Sequence, residues 1–75
     1  MTRAMRAVVA QMKAGATLVY HYPEQNRGAS IKLSKGGYDI KRVSAATFFS
    51  LQRGGLIKSL PPERDPVTYV LKESV

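Results

Sequence analysis

The chain predicts an α+β fold: two helices against a small, mainly antiparallel sheet, in the order helix, strand, strand, helix, strand, strand. Three observations carry this expectation. Apolar residues recur at helical spacing over residues 2–14 and 44–53, and each stretch ends at glycine. Short runs rich in β-branched and aromatic residues alternate with period two. The polar segments PEQNRG and PPERDP are short enough to join antiparallel neighbours. Residues 1–75 read as one domain, near the lower size at which a single core holds.

In the first helix Met5, Val8, Val9 and Met12 share one face, and Arg3, Arg6 and Lys13 take the other. Thr2 fits the N-cap and Gly15 the C-terminal stop. Residues 17–22, TLVYHY, form a strand that Pro23 ends. Residues 29–33, ASIKL, alternate again, with Ala29, Ile31 and Leu33 to one side and Ser30 and Lys32 to the other. SKGG then turns the chain, and Tyr38 and Ile40 add a short extended piece. The second helix has Ser44 as N-cap and Gly54-Gly55 as its stop, with Leu56 folding back on Leu51. Its apolar face holds Ala45, Phe48, Phe49 and Leu51, and its polar face Ser44, Thr47, Ser50 and Arg53. LIKSL and VTYVLK form the closing hairpin, and residues 73–75 are a frayed tail. The expected core is Met5, Val8, Val9, Met12, Leu18, Tyr20, Ile31, Leu33, Phe48, Leu51, Leu56, Ile57, Tyr69 and Leu71, and Phe49 joins it as an apolar aromatic.

Twelve Lys and Arg against five Asp and Glu give a net charge of +7. That balance favours a polyanionic partner: nucleic acid, an acidic protein surface or anionic lipid. No apolar run approaches the roughly 20 residues a membrane helix needs, and Arg6 and Lys13 interrupt the N-terminal stretch that a signal peptide would require. With no cysteine, the expected location is cytoplasmic. Catalysis finds no support: His21 is the single histidine, the carboxylates are scattered, and KGG and RGG lack the frame of a phosphate loop. No metal and no cofactor are expected.

The segment FFSLQRGGLIKSL followed by VTYVL resembles the second half of a winged-helix DNA-binding domain, over about residues 43–72. The resemblance implies that the helix enters a DNA groove and the hairpin, the wing, touches the flanking backbone. The chain departs from that pattern because residues 17–40 read as a hairpin where a helix normally precedes the recognition helix. A second resemblance, loose in sequence, is to the small bacterial YjhX-like toxin family. It rests on Met12 to Ala16, the 17–33 hairpin, SKGG, Phe49 and Leu51, Ile57-Lys58-Ser59, and Tyr69. That family is described as inhibiting a DNA topoisomerase, which implies a protein-binding inhibitor.

Two functions are therefore expected as rivals. The first is a small nucleic-acid-binding regulator, of phage or mobile-element type, that binds DNA through the second helix. Thr47, Ser50 and Arg53 would reach bases or phosphates, with Gln52 beside them and Lys41 and Arg42 on the backbone near the helix start. Arg27, Lys32 and Lys35 would track phosphates, and Arg64 marks the wing tip between Glu63 and Asp65. A monomer this small covers few base pairs, so a homodimer is the expected DNA reader, although no segment reads as a dimerisation helix. The second is an inhibitor of a nucleic-acid-processing protein, of topoisomerase or RNA polymerase type. A stacking platform that pairs His21 with Lys32 is a third, narrower possibility.

Overall fold

Two helices that stop by the same local chemistry organise the computed structural model, which describes residues 1–72. Helix α1 (Arg3–Lys13) starts at Thr2, whose hydroxyl accepts the Met5 N–H at 3.1 Å. Helix α2 (Ala45–Arg53) starts at Ser44, whose hydroxyl accepts the Thr47 N–H at 3.2 Å. At the end of α1, Ala16 N–H reaches the Gln11 carbonyl and Gly15 N–H reaches that of Met12. At the end of α2, Leu56 N–H reaches Leu51 and Gly55 N–H reaches Gln52. Both are the paired bonds of a left-handed stop, and both put a glycine at positive φ, +107° at Gly15 and +70° at Gly55. A strand follows each stop within two residues.

The strands are β1 (Thr17–His21), β2 (Ser30–Lys35), β3 (Tyr38–Arg42), β4 (Ile57–Ser59) and β5 (Val67–Leu71). They form one sheet in the order β3-β2-β1-β5-β4, and every neighbouring pair is antiparallel. The expected α+β class therefore holds, but the sheet has one strand more than the predicted element order. Strand β3 stands where only a short extended piece was expected. All five of its residues are exposed, so it lacks the alternation that marks a half-buried strand. Its pairing also jumps from Leu33↔Lys41 to Ser34↔Asp39, which makes Ile40 the extra residue of a bulge. The bulge and the two cations beside it blunt an otherwise open edge. The expected frayed tail, 73–75, lies outside the described residues.

Registers place the core on one side of the sheet. Leu18 lies opposite Leu33 and Tyr69, Tyr20 opposite Ile31 and Val67, and Ile57 opposite Leu71. Both helices pack on that side, with Val8, Val9 and Met12 from α1 and Phe48 and Leu51 from α2 entering the same cluster. Every residue of the expected core lies in this cluster or packs against it, except Phe49. Ala16, Val43 and Val67 are buried as well. Val43 is drawn in because its N–H extends the β2–β3 ladder to the Ile31 carbonyl at 2.8 Å. Phe49 is 45% exposed, which corrects its assignment to the core. Phe48 and Leu51, three residues apart, face inward and turn Phe49 outward.

Gly55→Ala should lower stability by roughly 1–2 kcal/mol, the cost of a left-handed backbone for a residue with a Cβ. The added carbon would meet only the Lys72 Nζ, at 3.7 Å, so the loss is conformational rather than steric. Gly28→Ala, where nothing lies within 4 Å and φ is not positive, should stay within about 0.5 kcal/mol. Chemical denaturation of the two variants checks this, and equal losses would contradict it.

Candidate nucleic-acid interface

The sheet face turned away from the helices carries the alternate residues of each strand. Thr17, Val19 and His21 come from β1, Ser30, Lys32 and Ser34 from β2, and Thr68 and Val70 from β5. In the pairing of β2 with β3, Lys32 stands directly opposite Arg42. Arg27 approaches the same place from the loop that joins β1 to β2. A tight turn holds that loop, with Glu24 and Arg27 exchanging backbone hydrogen bonds at 3.0 Å each. Arg27, Gly28, Ser30, Lys32 and Arg42 line one open depression of about 400 Å³. Asp39 lies 3.6 Å from Lys32 across the sheet. Both side chains are substantially exposed, so this pair holds Lys32 only weakly.

The eight residues expected to bind nucleic acid therefore divide between surfaces. Arg27, Lys32 and Arg42 converge. Lys41, one residue from Arg42, stands opposite Leu33 and so belongs to the helix side of the edge strand. Lys35 lies near the end of α1, with its Cε 3.6 Å from the place a Gly15 β-carbon would occupy. Arg53 is exposed on α2, beyond the core and away from the depression. Thr47 and Ser50 are half-buried, and the Ser44 hydroxyl donates to the Thr47 hydroxyl at 2.9 Å. The outward face of α2 is Ala45, Ala46, Phe49, Gln52 and Arg53 instead of the hydroxyl-rich face expected. Gly28 and Ser30 were not among the expected site residues. The signal for Ser30 was present, since its alternation with Ile31 already placed it beside Lys32.

A second depression, of about 190 Å³, lies next to the first and is lined in part by His21, Tyr22, Glu24 and Asp65. The loop before β5 forms its wall. Asp65 Oδ1 accepts the Tyr22 N–H at 3.1 Å and lies 3.9 Å from His21 Nδ1. Glu63 accepts the Ser59 hydroxyl at 2.7 Å, and its carbonyl accepts the Tyr22 hydroxyl at 3.5 Å. These contacts tie residues 60–66 to the end of β1. Arg64, expected as a wing-tip contact, lines a separate depression with Pro61, Pro62 and Pro66.

On the helix side, Tyr20 stacks on Phe48 with centroids 5.3 Å apart, and Tyr22, Phe49 and Tyr69 extend this group edge to face. Tyr22 and Phe49 leave two exposed aromatic rings at its ends, each 45% exposed. Among the described residues no group of three metal-ligating side chains occurs. Among the same residues no helix is long and apolar enough to cross a membrane. No protein-family model, curated protein or solved structure matches the chain.

Burial first, then the Glu63 carboxylate and the Tyr22 and Tyr20 hydroxyls, raises the Tyr69 phenol above its ordinary value of about 10. As pH climbs, the unfolded chain ionises first, so the neutral phenol's contribution is complete below pH about 10 and is lost as pH passes through the raised folded-state value. Stability should therefore fall more steeply above pH 10 in the native chain than in Tyr69→Phe. Denaturation midpoints across an alkaline series measure this, and identical declines would contradict it.

Proposed function

We propose that the protein is a small nucleic-acid-binding regulator that works in the cytoplasm and grips phosphates on the open face of its sheet. One observation carries the reading: Arg27, Lys32 and Arg42 line a single depression, and the only carboxylate in ion-pair reach of Lys32 there, among the described residues, is the weakly held Asp39. Three cations on one surface supply a sequence-independent phosphate contact. A chain carrying +7 adds long-range attraction to any polyanion. In the winged-helix-like form of this proposal, α2 is the reading helix and the β4–β5 hairpin is the wing. Gln52 and Arg53 are then the side chains able to make bidentate base contacts. Arg42 joins the two surfaces, since only Val43 and Ser44 separate it from the start of α2.

The rival reading, an inhibitor that binds a nucleic-acid-processing protein, is favoured by a different observation. Phe49 and Tyr22 expose aromatic rings on the helix side, and aromatic residues of this kind anchor protein interfaces. Such a partner would contact the face opposite the cationic depression.

Binding to labelled DNA should weaken linearly in log affinity against log salt, with a slope of about −2 to −3 for three phosphate contacts. Lys32→Ala and Arg42→Ala should each make that slope shallower by about 0.7–0.9. Arg53→Ala should do so only if α2 also meets the backbone. Absence of binding at low salt removes the proposal. If Phe49→Ala instead abolishes association with a defined protein of the DNA machinery, and DNA affinity is negligible, the inhibitor reading replaces it.

A further inference from the structure

The two depressions on the open side share Arg27, Gly28, Ser30 and Lys32, so they form one continuous groove. Its two ends differ in chemistry. Arg42 closes one end, beside Lys32 and Arg27. At the other end stand the His21 ring and the Tyr22 backbone with the carboxylates Glu24 and Asp65, the Tyr22 ring being turned to the helix side against Tyr20. A duplex lying along this groove would run a uniform line of phosphates past those two carboxylates, and like charges repel at that end. A single strand is different, because its unstacked bases are free to turn away from the backbone. One nucleotide of such a strand is itself two-ended, with a phosphate at one side and a ring bearing hydrogen-bond groups at the other.

We infer that the groove seats one nucleotide of a single-stranded nucleic acid, its own and the flanking phosphates on Arg27, Lys32 and Arg42 and its base against His21. The inference rests on the nucleic-acid reading above and narrows it to single strands. The combined space falls within the range of sites that hold small ligands, on the order of 300–1,000 Å³. The His21 ring gives a base a stacking surface that does not depend on sequence. The carboxylates add a preference. An ionised carboxylate only accepts hydrogen bonds, so it favours a base with an exocyclic amino group, as cytosine has. Thymine places its single ring N–H between two carbonyl oxygens, which oppose a carboxylate. Asp65 already accepts the Tyr22 N–H, so Glu24 is the carboxylate that can be changed without loosening the loop.

The test uses the full chain and fluorescently labelled strands of about 10 nucleotides, measured by anisotropy at low salt. The probes are oligo-dC, oligo-dT, and a mixed sequence presented both as a single strand and as a duplex. The mixed single strand should bind at least about tenfold more tightly than its duplex, and oligo-dC several-fold more tightly than oligo-dT. Glu24→Gln should narrow the dC-over-dT ratio with little change for dT, and His21→Ala should weaken both strands. Circular dichroism confirms that each variant is folded. Duplex binding as tight as single-strand binding overturns the inference and leaves the nucleic-acid reading standing, as does equal affinity for dC and dT that Glu24→Gln does not alter. Binding to none of the probes removes both.

Discussion

The two helices of the described residues cover only one face of the sheet, and the remaining surfaces follow from that limit. Helices α1 and α2 have 11 and 9 residues, which gives lengths of roughly 17 and 14 Å at 1.5 Å per residue. Five strands spaced about 4.8 Å apart span roughly 19 Å between the outer ones. Both helices are used on the face that holds Leu18, Leu33, Phe48 and Leu51, the four largest fully buried side chains. The other face must meet water, and period-two alternation makes it polar strand by strand. Lys32 and Arg42 are available for a ligand because no helix of the described residues packs on that face.

The groove on that face is held by contacts distant in sequence. The bulge at Ile40 sets the register that brings Arg42 opposite Lys32 and sends Lys41 to the other side. The reciprocal bonds between Glu24 and Arg27 fix the direction of the loop that delivers Arg27. Asp65 and Glu63 bind Tyr22 and so connect the closing hairpin to the far end of the groove. Acidic side chains gather at this end while cations hold the other, which gives the surface a polarity that the net charge of +7 conceals. The helix side has its own character, aromatic and only partly exposed, and it suits a different class of partner.

Much of the fold was legible because the signals were local. Thr2 and Ser44 cap helices as their side chains predict, and Gly15 and Gly55 stop them. Leu18, Ile31, Leu33 and Phe48 follow from periodicity alone. Strand β3 was legible only as a fragment, since an exposed edge carries no burial pattern and a bulge breaks the period besides. The outward rotation of Phe49 depends on which part of the helix surface meets the sheet, and the neighbouring Phe48 gives no local sign of it. The candidate site was half legible in the same way. Arg27 and Lys32 were expected to track phosphates and Arg42 to contact the backbone near the helix start, but Lys35 and Lys41 were named with equal force. Only strand register separates them, and register across a bulge is a tertiary fact.

The central claim is that the uncovered sheet face is the working face. Amide chemical-shift mapping of the isotopically labelled protein, titrated with a single-stranded oligonucleotide, tests it most directly. The account predicts perturbations centred on Gly28, Ser30, Lys32 and Arg42, extending to His21 and Tyr22, with α2 little affected. Perturbations confined to Phe49, Gln52 and Arg53 would contradict it and move the function to the helix side.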